Sequence, residues 1–148
     1  MKRLILTLLF MAASAGLAEA QTVTGIQNIS FGTFFRSQTV VVPANGTGTA
    51  QFQVTGTAQR KVRLTVTTTS LSRTGNTLPI VVTNSNCEYS IDGGNTWTAF
   101  TTGTLIQDVT LPANGTPINV RVGGSVTSGR TQQRGVYAGS INLNAVYK

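Results

Sequence analysis

Hydrophobic side chains alternate with polar ones in five stretches of this chain: Ala50, Phe52 and Val54; Val62, Leu64 and Val66; Cys87, Tyr89 and Ile91; Ile118, Val120 and Val122; and Tyr137, Ile141, Leu143 and Ala145. A period of two puts one side of each segment toward a core and the other toward solvent, which is the pattern of a β-strand. After Gln21 no apolar period of 3.6 persists for the length of a helix. Turn signals separate the alternating runs: Asn45-Gly46, Gly75-Asn76, Asp92-Gly93-Gly94, Asn114-Gly115 and Gly123-Gly124. Roughly seven to nine short strands at this spacing predict an all-β domain, an immunoglobulin-like antiparallel β-sandwich, with a small barrel as the second architecture. The segment Pro43-Ala44-Asn45-Gly46-Thr47 recurs letter for letter as Pro112-Ala113-Asn114-Gly115-Thr116. Because Asn-Gly suits the positive backbone angles of a tight turn, both copies are expected to close similar hairpins.

The first residues follow a different rule. Lys2-Arg3 precede an apolar run from Leu4 to Leu17, and Ala18-Glu19-Ala20 follow it. A short basic region, an apolar stretch and small residues at the boundary predict a secretory signal peptide over residues 1–20, cleaved before Gln21. The run is shorter than the roughly 20 residues a spanning helix requires. Residues 21–148 then form a single exported domain.

Composition narrows the chemistry. The chain has 148 residues, 10% of them charged, and no histidine, so the commonest general base and metal ligand is missing. Beyond residue 20 the carboxylates are Glu88, Asp92 and Asp108. A paired-carboxylate glycosidase remains arithmetically open, but a serine or cysteine nucleophile lacks its histidine partner, and no phosphate-binding Gly-Lys motif or metal cluster is visible. The expectation is a protein that is not an enzyme and carries no cofactor. Cys87 is the only cysteine, so no internal disulfide forms despite export. Its alternation with Tyr89 and Ile91 favours a buried strand thiol over an intermolecular disulfide.

Loss of Lys2, Arg3 and Glu19 with the signal peptide changes the net charge from +7 to +6. Arg60, Lys61 and Arg63 cluster, as do Arg121, Arg130 and Arg134. These charges suit either an acidic glycan surface or a solvated strand face that resists aggregation. Export argues against nucleic acid as the partner.

Ser90-Ile91-Asp92-Gly93-Gly94-Asn95-Thr96-Trp97 resembles an Asp-box, a β-hairpin in which Asp92 and Ser90 or Thr96 bond the turn around Gly94 while Trp97 packs against it. A structural role is expected, with Trp97 in the sandwich core.

The C-terminal segment carries the strongest resemblance. Tyr147 is penultimate, and Ala145, Leu143, Ile141, Gly139, Tyr137 and Gly135 precede it at every second position. This resembles the last strand of chaperone–usher pilus subunits, with their penultimate tyrosine, alternating apolar residues and a glycine near the start. Together with Ile29-Ser30-Phe31-Gly32-Thr33 it is similar to archaic, spore-coat-U-like pilins, and a related bacterial secreted domain of unknown function shares these features. The resemblance implies a sandwich lacking one strand, which a partner donates. A periplasmic chaperone would pair with the last strand before an outer-membrane usher delivers the subunit. The N-terminal arm of a neighbouring copy or another fibre subunit would then replace the chaperone in a head-to-tail contact. The implied function is a structural subunit of a secreted fibre supporting adhesion or biofilm formation. Val23, Gly25, Ile29 and Phe31 share one phase as the candidate donor arm, with Gly25 suited to a tight pocket. Alternatively, residues 22–31 are the domain's own first strand, and the protein is a self-complete sandwich that binds glycans or another surface partner.

Overall fold

The computed structural model describes residues 21–33, 35–133 and 137–148. The expected signal peptide over residues 1–20, together with Arg134 and Gly135, lies outside them. The chain is all-β, with one 3-10 turn, Asn84–Asn86, among the described residues. Its strands are β1 (Thr22–Gln27), β2 (Thr39–Val42), β3 (Ala50–Thr55), β4 (Lys61–Thr68), β5 (Leu71–Arg73), β6 (Asn76–Leu78), β7 (Cys87–Ser90), β8 (Thr98–Ala99), β9 (Ile106–Thr110), β10 (Ile118–Val122), β11 (Gly124–Thr127) and β12 (Ile141–Tyr147).

Every pairing is antiparallel. One sheet runs in the order β1-β3-β10-β7-β8, a second runs β12-β4-β9, and the ribbons β11-β2 and β5-β6 complete the fold. The alternating residues form one core between the sheets. Val54, Ile118, Val120 and Val122 of the first sheet join Val62, Leu64, Val66, Leu143 and Ala145 of the second, all buried. Removing that apolar surface from water drives the association of the layers. The expected antiparallel β-sandwich is therefore the observed architecture.

Three local expectations need correction. Both Pro-Ala-Asn-Gly-Thr copies do form turns, with Gly46 N donating to Pro43 O at 2.9 Å and Gly115 N to Pro112 O at 3.2 Å. Neither closes a hairpin. The first links β2 to β3 and the second β9 to β10, each pair belonging to different sheets. The central residues are Ala-Asn, with glycine at the fourth position, so the Asn-Gly hairpin geometry is not used. Ile91 is not a core strand residue; it is 47% exposed because β7 has ended at Ser90 and the chain has entered the turn. Trp97 is half-buried outside the core, and the reason lies in the hairpin described below.

Candidate functional site

β12 is held on one side only. Its register with β4 places Ile141 opposite Thr68 and Tyr147 opposite Val62. Thr69 N donates to Ser140 O and Lys148 N to Lys61 O, each at 2.9 Å. In an antiparallel ladder the bonded direction alternates with the residue. Hence Asn142, Asn144 and Val146 direct their backbone groups at β4, while Ile141, Leu143, Ala145 and Tyr147 direct theirs at the outer edge. Among the described residues no strand pairs with that edge. Gln21 touches it, its side-chain Nε2 donating to Ala145 O at 2.7 Å.

The side chains of β12 are nevertheless settled in the core. Ile141, Leu143 and Ala145 are buried. The Tyr147 hydroxyl accepts from Thr57 N at 2.7 Å, and the Arg60 guanidinium stacks on its ring 4.9 Å from the centroid. Gly56 leaves room for this contact, because a β-carbon there would displace the Tyr147 hydroxyl.

The candidate donor arm is part of its own sheet. Val23 lies opposite Val54 and Gly25 opposite Phe52 in the β1–β3 ladder. Ser30 N then donates to Gly48 O at 2.8 Å, and Phe31 is buried in the chain's own core with Ile29 packed against it. In the isolated chain residues 22–27 thus form a strand of the domain's own sheet, and residues 28–31 continue outside any strand. Within its own sheet Gly25 is uncrowded: a β-carbon there would have nothing within 4 Å. The reason is that β1 is an edge strand whose inner face is left partly uncovered, with Val23 and Phe52 only half-buried.

Downstream of β1, and upstream of β12, the two nominated segments face each other. Ile29, Phe31 and Phe35 lie on one side, and Tyr137 and Gly139 on the other side, of an open cleft of about 920 Å³. Ser128 fastens one wall by donating to Phe35 O at 2.6 Å and accepting from Gln38 N at 3.1 Å. The Tyr137 hydroxyl fastens the other, donating to Gln133 O at 2.9 Å and accepting from Gln132 Nε2 at 2.5 Å. Gly139 is needed for close approach, since a β-carbon would stand 2.9 Å from Ser70 O and 3.0 Å from Leu71 Cα. Ser128, Gln132 and Gln133 had no signal in the chain pattern; only the fold brings them here.

The Asp-box-like hairpin is built as its residues suggest. Ser90 Oγ donates to Asp92 Oδ1 at 2.7 Å and accepts from Gly94 N at 2.8 Å. Asp92 also accepts from Thr96 N at 3.0 Å and from Thr96 Oγ1 at 2.7 Å. These donors, the Thr96 amide first, hold the Asp92 carboxyl well below its usual range. Trp97 Nε1 donates to Gly94 O at 3.0 Å, and its ring stacks on the Arg121 guanidinium, 4.0 Å from the centroid. That cation explains why Trp97 leaves the core: Arg121 projects from the outer face of β10 and draws the ring over itself.

Each carboxylate beyond residue 20 is committed to a partner. Glu88 pairs with Arg121 at 2.5 Å, Asp92 holds its turn, and Asp108 lies between Arg63 and Lys148 at 2.8 and 2.5 Å. Among the described residues no three of His, Cys, Asp and Glu gather closely enough to hold a metal ion. No helix among them is long and apolar enough to cross a membrane.

These features define an antiparallel β-sandwich in which one sheet ends on a C-terminal strand paired on one side only. The chain belongs to the family described as Domain of unknown function (DUF4402), whose model matches residues 21–147, from just before β1 to the last residue of β12. No curated protein matches it, and no solved structure does.

Proposed function

We propose that this chain is a structural subunit of a secreted surface fibre, assembled at the periplasm and outer membrane of a Gram-negative bacterium by adding strands between copies. The outer edge of β12 carries the reading: four residues, Ile141, Leu143, Ala145 and Tyr147, direct backbone donors and acceptors where no strand pairs with them among the described residues. An unpaired edge of this length is a template for another chain, and folded proteins normally protect it. A strand laid there gains main-chain hydrogen bonds over its length and positions alternate side chains toward the core, which is β-augmentation. A periplasmic chaperone would occupy this edge until an outer-membrane usher exchanges it for the next copy.

The donor is the N-terminal segment, residues 21–31. It lies beside the acceptor through the Gln21–Ala145 contact, and over β1 itself it is lightly held, since Val23 is half-buried and the other five residues of the strand are exposed. Segments with few buried apolar contacts open most readily. Release of this segment in one copy and its capture by the next gives a head-to-tail contact that propagates without closing.

Purified protein should form ladders that survive mild detergent and collapse on boiling. Simple deletion of Gln21–Ile29 is ambiguous, because it also removes a strand of the fold. Locking β1 in place is cleaner: Val23→Cys with Val54→Cys joins two residues that face each other in the ladder. Oxidised protein should stay monomeric, and reduction should restore the ladders. Ladders from the locked form, or a monomer under every condition, would overturn the proposal.

A further inference from the structure

The outer face of the first sheet carries a second feature that strand exchange does not use. Register aligns Thr24, Gln53, Asn119 and Ser90 in one row across β1, β3, β10 and β7. A neighbouring row places Gln51 beside Arg121 and Arg121 beside Glu88. The side-chain amides of Gln51, Gln53 and Asn119 make no hydrogen bond within the described protein. They share a shallow cleft of about 170 Å³ with Ile26, Trp97 and the glycine turn Gly93-Gly94. An extra residue in β1 at this point, between Gly25 and Gln27, turns the exposed side chain of Ile26 toward the same cleft.

Gln53 and Asn119 face each other on adjacent strands, about 4.8 Å apart across the sheet, Gln51 lies two residues from Gln53 on the same strand, and each carboxamide offers an acceptor and two donor hydrogens. That is the chemistry of a partner with closely spaced hydroxyls. Trp97 supplies an apolar surface held in one orientation by its bond to Gly94 and by Arg121 beneath it. Such pre-organisation lowers the entropic cost of binding. The only cation in the two rows, Arg121, is already neutralised by Glu88 and covered by Trp97, so the face offers no free charge to a carboxylate or sulfate. The volume is below the ~300–1,000 Å³ that encloses a drug-sized ligand, which fits one ring of a longer chain resting on the surface.

We propose that this face binds a neutral polysaccharide, one hexopyranose ring lying against Trp97 with its hydroxyls bonded to Gln51, Gln53 and Asn119. The residues that bond the ring, Gln51, Gln53, Asn119 and Trp97, lie on β3, β10 and the Asp92 hairpin, so release of β1 on assembly removes only the Ile26 wall of the cleft. The test is affinity electrophoresis of the full chain through native gels containing mannan, dextran or hydroxyethylcellulose as neutral probes and polygalacturonate as the acidic one. The expected result is retardation by at least one neutral probe, insensitive to added salt. It should weaken about tenfold or more in Trp97→Ala, the loss expected for one anchoring aromatic. Because Trp97→Ala also disturbs the hairpin, Gln53→Ala with Asn119→Ala is the second variant. It leaves the Asp92 turn intact and should lose retardation while melting like the parent. Retardation by polygalacturonate alone, by no probe at all, or undiminished in the double variant would overturn the proposal.

Discussion

The side-chain amide of Gln21 donates to the carbonyl of Ala145 at 2.7 Å, so the start of the first strand bridges to the outer edge of the last. The bond is made by a side chain and satisfies one acceptor, and no strand among the described residues pairs with the rest of the β12 edge. Amide exchange should therefore alternate along β12. The N–H groups of Asn142, Asn144, Val146 and Lys148 point to β4 and should be protected, whereas those of Leu143, Ala145 and Tyr147 should exchange faster by orders of magnitude. Hydrogen exchange read by NMR on the monomer measures this residue by residue. Uniform protection would mean that the edge is already covered.

How much of this could be read from the chain depends on where each residue obtains its environment. β3, β4, β10 and β12 were visible as alternation because both their faces are decided locally, one toward the opposite sheet and one toward water. The Asp-box hairpin was visible because its bonds span at most four residues. Trp97 was misjudged for the opposite reason. It answers to Arg121 on another strand. The row Thr24, Gln53, Asn119 and Ser90 joins four distant segments through register alone, and no spacing in the chain announces it. Likewise the two identical Pro-Ala-Asn-Gly-Thr turns read as hairpins until their flanking strands are seen to join different sheets.

Acid should weaken the fold through two aspartates. Asp92 is held below its ordinary value of 3.8 by the Thr96 amide and the Ser90 and Thr96 hydroxyls. Asp108 is held below it by hydrogen bonds from Arg63 and Lys148. A carboxyl depressed in the folded state stabilises fully above its unfolded value, and that stabilisation is lost as pH falls toward the folded value. The melting temperature should thus be level with respect to these groups above about pH 5 and decline from about pH 4 downward. Asp92→Asn and Asp108→Asn should each lower stability at pH 7 and make the acid decline shallower. A decline as steep in both variants as in the parent would show that other groups set it.

Cys87 should be chemically silent in the folded protein. It is fully buried on β7 opposite Val122, and burial pushes its thiol up to about 12. Since the thiolate is the reactive form, iodoacetamide at pH 8 should label Cys87 only after denaturation, and no covalent dimer should form on air oxidation. Mass spectrometry of native and denatured samples reads both. Rapid native labelling would show that β7 opens. Cys87→Ala removes one buried sulfur and should cost about 1–2 kcal/mol through the void it leaves.

Two glycines that occupy equivalent places in the alternating pattern should respond in opposite directions. At Gly139 a β-carbon would stand 2.9 Å from Ser70 O and 3.0 Å from both Leu71 Cα and Cδ2. Gly139→Ala must push the lead-in to β12 away from β5, where Ala138 and Ser72 exchange backbone hydrogen bonds of 3.0 and 2.7 Å. Overpacking of this kind costs about 1–3 kcal/mol. At Gly25 the same atom meets nothing within 4 Å, and the backbone, though next to the extra residue Ile26, is not in the left-handed region. Gly25→Val therefore replaces a flexible residue by a β-former over the half-covered Phe52 and should stabilise by up to about 1 kcal/mol. Urea unfolding of the two monomeric variants beside the parent gives the signs directly. If β1 is the segment released on assembly, the added grip of Gly25→Val should also slow ladder formation in proportion to its stabilisation. A variant that is more stable yet assembles at the parent rate would show that β1 stays on β3 while copies join.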